Sequence, residues 1–503
     1  MEVIGSPAIE YPLTAALGAC VLIHGFLSES DCATLIAQAE ARGFASAELD
    51  YPPSYRNNDR QVLEDPQLAD SLLTRLKDVF GDGLDRMLPT TVRNDWQLQG
   101  INELLRLCKY RTGQQFSIHQ DGVHHRGPRC RSMLTFMVYL TDGDEFEGGD
   151  TLFYGAGPSQ GGSDRHVIAR VRPKAGSLIL FDHGIWHAGE AVTLGTKYVL
   201  RSDLLFHQTK GEAEGLAATS RHQGYIWALA ALSDGRMASG GRDGTVRIWK
   251  SDGELAGTLV GHGQSVLGLV EVSEGIIASI SRDRTLRLWD VTSSCCLRSA
   301  TAHRAATLSI ARLSNQLLAT GGADHSIQLW SGRGEHLRSI VGHEGWVWGL
   351  AALDHDVLAS VSEDRSMRIW DLRHDRCVAT RHVSHPLRTI DACHPASAQG
   401  RKVLAAGDES GRVTVWIVDQ GKVSEAASFM AHAAAVRRVR FLRNGWLATC
   451  GEDNFLRIWS MHPLTQVREE ARANFVTDVI ELSDGTRVSC GYDGELDWRN
   501  ARH

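Results

Sequence analysis

The chain has 503 residues, a net charge of −7, a pI near 6.3 and 43% apolar residues. That length allows about three domains at roughly 150 residues each, and the acidic balance excludes the basic footprint of a nucleic-acid binder. Ten scattered cysteines without a Cys-X-X-Cys exclude a disulfide framework or zinc site and point to reduced thiols in a cytoplasmic protein. The apolar run Ala15 to Ile23 follows Glu2 and Glu10 with no basic residue, so it reads as an opening strand rather than a signal-peptide core. No stretch is long and apolar enough to cross a membrane. Ser28-Glu-Ser-Asp31 then precedes an amphipathic run with Leu35, Ile36 and Ala39 and a closing Gly43, which predicts a capped helix.

From Ile101 the chain becomes strand-like: INELLRLCKYRTGQQFSIHQDG, RSMLTFMVYLTD, GGDTLF, PKAGSLILFDHGIWHAGEAV and TKYVLRSDLLF are short extended runs between Gly-rich turns. This is the texture of an antiparallel double-stranded β-helix, or jelly roll, with flanking helices. The Gly/Ser-rich segment 155–166 reads as a lid or a flexible hairpin loop at its mouth. Within this region His119-Gln-Asp121 is answered 68 residues later by His187, and ten beyond that by Lys197. Residues two apart in a strand share a face, so His119 and Asp121 can meet one ion. With His187 they make two imidazoles and a carboxylate, the facial triad of non-haem Fe(II) oxygenases. Alternation places Lys197, Val199 and Arg201 on one face, so either cation can point inward; the bland role for Arg201 is a pair with Asp203 or a backbone carbonyl. His183 is read as a rim or substrate-facing histidine, or a satisfied polar residue.

Residues ~20 to 207 resemble the prolyl 4-hydroxylase-like branch of the 2-oxoglutarate and Fe(II)-dependent oxygenases. The matching pieces are HGFLSESDCATLI, YRNNDR, INELLRLCKYRTGQQFSIHQDG, LTFMVYLTDGDEFEGGDTLF and LFDHGIWHAGEAVTLGTKYVLRSDLLF, in that order. The resemblance implies Fe(II) on His119, Asp121 and His187, the distal carboxylate of 2-oxoglutarate on Lys197, and a hydrogen bond to it from Tyr110. It further implies O2 as oxidant, succinate as by-product, ascorbate as reductant, and no catalytic side chain beyond the metal ligands. A buried dianion needs a compensating cation, which independently supports a basic residue at this place.

The second half repeats. Trp249, Trp289, Trp330, Trp370, Trp416, Trp459 and Trp498 are separated by 40, 41, 40, 46, 43 and 39 residues, the period of a β-propeller. Asp243, Asp283, Asp324, Asp364 and Asp453 each precede their Trp by six; His222, His262, His303, His343 and His432 precede those aspartates by 21; Ser239, Ser279, Thr320, Ser360 and Thr449 precede the Trp by ten. This resembles the WD-repeat family and implies a seven-bladed WD40 β-propeller. A His, Ser/Thr, Asp and Trp within one blade can form a buried relay, which assigns these histidines to structure rather than metal binding. The fifth unit, with His385, Ala406, Ser410 and an insertion at HPASAQGRK, and the seventh, with Arg472 in place of the histidine, depart from the pattern and should be less tightly pinned. The segment Leu216 to Arg221 should supply the seventh blade's outer strand and close the ring.

The expected organisation is therefore mainly β: an oxygenase domain at 1–207, a linker at 208–214 and a propeller at 215–503. Propellers of this family recognise partners; by position the contact face includes Tyr225, Trp227, Arg242, Arg282, Trp346, Trp348, Arg388 and Arg437, types enriched at hot spots, while packing between blades is the competing role. Three functions follow: hydroxylation of a protein or peptide residue, proline among the candidates, with a protein partner or substrate recruited by the propeller; oxidation of a small molecule; or a scaffold without turnover. A demethylase of nucleic-acid bases uses similar ligands, and the acidic balance argues against it.

Overall fold

A computed structural model describes residues 8–14, 18–47, 56–81, 95–122, 124–127, 130–155, 166–209, 221–313, 317–393, 401–419 and 421–499. The chain divides into two units, Met1–Thr219 and Ser220–His503. It is mainly β, and no helix among the described residues is long and apolar enough to cross a membrane. All ten cysteines are free thiols.

Among the described residues, the first unit has two antiparallel sheets. The larger has eleven strands, with Leu178–Asp182, Cys130–Tyr139, Val192–Gln208 and Leu104–Arg111 adjacent at its centre; the smaller runs Val167–Val171, Thr151–Tyr154, His187–Gly189, Phe116–His119. Period-two alternation sorts the larger sheet's side chains. Leu105, Leu107, Phe136, Val138, Leu200 and Phe206 pack in one buried cluster with Ala39, Leu72 and Leu76 of two helices. Cys108, Tyr110, Tyr139 and Val199 turn the other way and pack with Phe116 and Phe153 of the smaller sheet. Burying a side chain of this size contributes roughly 1.5–3 kcal/mol, so the alternation fixes which polar residues end up between the sheets.

The helix Glu29–Arg42 begins at Ser28 with the expected reciprocal cap: Asp31 N–H donates to Ser28 Oγ at 3.0 Å and Ser28 N–H to Asp31 Oδ2 at 3.4 Å. A second helix, Pro66–Phe80, is capped by Asp65 and buries Ala69, Leu72 and Leu76 on one face. The final strand runs through Gln208, the first residue assigned to the linker, and Thr209 N–H bonds Asp95 carbonyl at 2.7 Å. The rest of the linker, residues 216–220 of the closing segment, most of the insertion after Cys393 and residues 156–165 of the proposed lid lie outside the described residues.

The second unit holds seven consecutive sheets, six of four strands and a last of three among the described residues. The first strand of each neighbours the first strand of the next, and Val476–Glu481 of the last also neighbours Ile226–Ala231 of the first. In the first, second, third, fourth and sixth sheets the relay forms: Trp Nε1–H donates to the Ser or Thr hydroxyl at 2.7–3.0 Å. That oxygen meets His Nε2 at 2.6–2.9 Å, and His Nδ1 meets the Asp carboxylate at 2.8–3.0 Å. The fifth sheet lacks it: Ala406 is buried where the hydroxyl would stand, and Asp408 instead holds its own turn through Ser410 and Arg412. The seventh corrects expectation in part. The Arg472 guanidinium donates to Ser489 Oγ at 3.2 Å and to Asp493 at 3.1 Å, bridging the positions the missing histidine would join.

Candidate metal centre

Three side chains converge between the sheets of the first unit. His119 ends its strand directly opposite His187 across the antiparallel ladder, and Asp121 follows two residues on. All three are buried, and one ligand atom from each lies within 4.8 Å of the others. His119 Nε2 is 3.4 Å from Asp121 Oδ1 and His187 Nε2 is 3.5 Å from Oδ2. Ligands at about 2.1 Å on adjacent corners of an octahedron sit about 3 Å apart, so the donor set fits a divalent ion with little movement.

The tautomers fit as well. His119 Nδ1–H points at Ser117 carbonyl at 2.8 Å and His187 Nδ1–H at Ile185 carbonyl at 2.9 Å, which leaves both Nε2 lone pairs facing inward. Aromatic rings brace the imidazoles: Phe116 stacks on His119 at 3.6 Å and Phe181 meets His187 edge-on at 4.6 Å. Burial pushes both imidazoles below their ordinary pKa, His187 to about 3, so both are neutral donors at pH 7. Burial would raise the Asp121 carboxyl, but the Arg201 guanidinium, with His187 and His119, holds it well below the usual carboxylate range.

Lys197 and Arg201 both turn inward but separate in role. Lys197 is buried, donates Nζ–H to Gly149 carbonyl at 2.5 Å and lies 5.6 Å from the rings of Tyr110, its ladder partner, and Tyr139. Burial lowers its ammonium to about 8. The turn that offers that carbonyl needs glycine, because Gly148 and Gly149 have φ of 69° and 71°, and a Cβ at Gly148 would strike Ala191 carbonyl. Tyr110 is buried nearby, its hydroxyl pushed up to about 12 by burial. The expected pair of Arg201 with Asp203 is not the one formed. Arg201 Nη2–H donates to Asp121 Oδ1, while Asp203 takes Arg106 at 3.2 Å and Asn102 at 3.3 Å. The reason is register: Arg106 stands opposite Arg201 in the ladder and has already claimed that carboxylate.

His183 is neither a ligand nor on the rim. It is buried and satisfied by Thr135 and Ser132. Sequence reasoning also passes over Thr135, a buried hydroxyl in a mostly apolar strand, and Arg56, a buried arginine over the Phe116 ring at 4.4 Å.

The eight residues proposed for the contact face of the second unit make the following local contacts. Tyr225 stacks on Tyr492 at 4.1 Å, with Trp227 edge-on to both and Arg242 over Tyr225 at 4.9 Å. Trp346 and Trp348 lie 5.3 Å apart, and Arg388 packs over Trp348 at 4.8 Å between Glu363 and Glu409. Arg437 pairs with Glu452, and Arg282 N–H bonds Ser265 carbonyl at 3.0 Å. Tyr225, Trp346 and Arg388 are buried, the packing role weighed against contact.

Residues 105–202 match the 2OG-Fe(II) oxygenase superfamily, and residues 216–250, 253–290, 294–331, 334–371 and 424–460 each match the WD domain, G-beta repeat. The fifth and seventh units, which depart from the repeat pattern, fall outside those matches. The chain carries a 2OG-Fe(II) oxygenase domain together with WD40 repeats. Among curated relatives, a PKHD-type hydroxylase of Gluconacetobacter diazotrophicus is 26% identical over 93 residues, 18% of this chain and 37% of that protein. A ribosome biogenesis protein WDR12 homolog of Chlamydomonas reinhardtii is 29% identical over 121 residues, 21% of this chain and 27% of that protein. The matches thus span about a quarter to just over a third of those relatives' lengths.

Proposed function

We propose that this protein is a 2-oxoglutarate-dependent Fe(II) dioxygenase that hydroxylates a C–H bond in a protein or peptide residue, proline among the candidates, and that its WD repeats recruit the substrate or a complex containing it. On this reading the two sheets of the first unit are a prolyl 4-hydroxylase-like jelly roll and the seven sheets of the second are a seven-bladed propeller. His119, Asp121 and His187 hold the iron, Lys197 takes the distal carboxylate of 2-oxoglutarate, and Tyr110 adds a hydrogen bond. When bound, iron and 2-oxoglutarate supply oxidation by O2, the co-substrate leaving as succinate and CO2. The side chains orient and shield: Phe116 and Phe181 fix the imidazole planes, Tyr110 and Tyr139 surround Lys197, and the buried setting excludes water. The ten free thiols agree with a cytoplasmic setting.

The observation that carries this reading is the convergence of three buried donors, with both Nδ1 atoms occupied by backbone carbonyls, between the same two sheets as a buried lysine. Purified protein with Fe(II), ascorbate and 2-oxoglutarate should form succinate slowly without added substrate, and His119→Ala should abolish it. Proteomes of cells carrying the wild-type chain or His187→Ala should differ by added oxygen on specific peptides. Succinate formation without any such peptide would move the assignment to a small-molecule substrate.

A further inference from the structure

The hydrogen bonds around Asp121 have a direction that can be worked out proton by proton. Asp121 Oδ2 accepts the hydroxyl proton of Thr135, since an ionised carboxylate only accepts. Thr135 has no second proton, so its contact with His183 Nδ1 at 3.0 Å must be donation from an Nδ1–H. A neutral imidazole with its proton on Nδ1 has a bare Nε2, which accepts from Ser132 Oγ at 2.9 Å. The Ser132 oxygen in turn accepts the backbone N–H of His124 at 2.7 Å. Each hydroxyl gives once and receives once, and every proton points toward Asp121. A second tether runs beside the first: Asp121 N–H donates to His183 carbonyl at 3.0 Å, and His183 N–H to Met133 carbonyl at 3.2 Å.

We propose that Thr135 and His183 are positioning residues that hold the Asp121 carboxylate for metal binding against the competing pull of Arg201. The inference rests on the metal-site reading above. Arg201 engages Oδ1 through Nη2, and its buried Nε has no hydrogen-bond partner among the described residues. Guanidinium and carboxylate prefer a two-bond fork. A carboxylate free to turn fully onto Arg201 would present both oxygens to Nε and Nη2 and leave the histidines. The Thr135 hydroxyl on Oδ2 opposes that rotation, and His183, whose ring is locked at both nitrogens, keeps the hydroxyl aimed. Arg201 in turn stops the carboxylate from leaving in the other direction.

The test uses the full chain and Co(II), read by its dissociation constant and by the d–d absorption bands of the bound ion. Thr135→Val keeps the shape and removes the donor; it should weaken Co(II) binding on the order of ten- to a hundredfold, the usual cost of losing an outer partner of a metal ligand. Thr135→Ser keeps the donor and should stay within about threefold of wild type, by the same reasoning. His183→Phe leaves Thr135 its proton but removes its guide, so it should weaken binding less than Thr135→Val, and the double variant should bind no worse than Thr135→Val alone. If Thr135→Val does not fold, His183→Phe alone carries the comparison. Wild-type affinity and spectrum in Thr135→Val and His183→Phe would overturn the relay, as would equal losses in Thr135→Val and Thr135→Ser, which would assign the effect to packing. A wild-type chain that takes up no Co(II) would overturn the metal-site reading itself, and the relay with it.

Discussion

Lys197→Met isolates one electrostatic contact, because methionine fills similar space and carries no charge. In the structure the ammonium is fully enclosed, hydrogen-bonded to Gly149 carbonyl at 2.5 Å, with the Tyr110 and Tyr139 rings each 5.6 Å away. Removing one partner of a buried ion pair costs about 3–5 kcal/mol, because the other charge stays buried alone. At about 1.4 kcal/mol per tenfold, the affinity for 2-oxoglutarate should fall roughly a hundred- to several-thousandfold. 2-Oxobutyrate lacks the distal carboxylate, so its affinity should barely change, and the ratio of the two constants is the quantity to measure, with Mn(II) in the metal site. Burial, the largest cause and only partly offset by Asp150, takes the ammonium from 10.5 to about 8. Above pH 8 the free protein must therefore take up a proton to bind the dianion, and the dissociation constant should rise by up to tenfold per pH unit. Below pH 8 the lysine is already charged and the curve should be flat. Lys197→Met should fold at least as stably as wild type, since it relieves a desolvated charge. The reasoning is refuted if Lys197→Met keeps the preference for 2-oxoglutarate while Arg201→Met loses it, which would make Arg201 the anchor.

The WD-repeat unit gives three further expectations. Ser360→Ala removes the hydroxyl shared by Trp370 Nε1 at 2.7 Å and His343 Nε2 at 2.6 Å; two buried polar atoms left unsatisfied should lower the stability of this unit by roughly 2–5 kcal/mol in urea unfolding, and a loss under about 0.5 kcal/mol would remove the relay from the account. Asp243, Asp283, Asp324, Asp364 and Asp453 are each pushed upward by burial, but hydrogen bonds from their histidines outweigh it and hold them below the usual carboxylate range. A depressed folded pKa adds stability that is complete above the unfolded value and lost as pH falls below it, so the unfolding midpoint should drop steeply below about pH 4, and a flat profile from pH 4.5 to 3 would contradict the relay. Asp478 is buried and accepts Leu229 N–H at 3.0 Å of the first sheet while pairing with Arg438 and Arg440 of the sixth, both at 3.1 Å; Asp478→Asn keeps the shape, strands those guanidiniums, and should destabilise by about 3–5 kcal/mol. Protease resistance equal to wild type would show that the last sheet is secured some other way.

How much of this was legible depends on the distance over which each feature is decided. The His119, Asp121 and His187 group follows from period-two alternation and one long-range pairing, so its membership can be read from the residues, while its tautomers cannot, because they depend on the Ser117 and Ile185 carbonyls. The inward face shared by Lys197 and Arg201 is equally local. Their different partners are not: Arg201 goes to Asp121 because the ladder sets Arg106 against Asp203, and nothing within strand TKYVLRSDLLF encodes that register. His183 joins Thr135 to Ser132 where the ladder shifts between Leu204 and Leu205, an irregularity that alternation alone misplaces by one residue. The helix Pro66–Phe80 carries a readable start, Asp65 before Pro66, and a readable face in Ala69, Leu72 and Leu76, yet the run of strands after it dominates a reading led by alternation. In the second unit the relay spacing predicted its own hydrogen bonds, but the repair of the seventh sheet by Arg472 depends on the reach of a guanidinium, which spacing rules written for histidine do not contain.

The same residue type does opposite work in the two units, and the hydrogen bond on each ring nitrogen tells them apart. In the repeats His222, His262, His303, His343 and His432 spend Nδ1 on an aspartate and Nε2 on a hydroxyl, so neither nitrogen has a lone pair left for an ion. His183 in the first unit is spent the same way, on Thr135 and Ser132. His119 and His187 give Nδ1 to the backbone and turn Nε2 toward a carboxylate that a third group, Arg201, keeps ionised. Aspartate placement completes the distinction. A repeat aspartate also accepts a backbone N–H from its own turn and one from the residue after its histidine, as Asp364 does from Ser366 at 2.9 Å and from Glu344 at 3.0 Å, which ties it in place. Asp121 is held from the side by a hydroxyl and a guanidinium, with its oxygens still 3.4 and 3.5 Å from two imidazoles, an arrangement that gains from a cation between them.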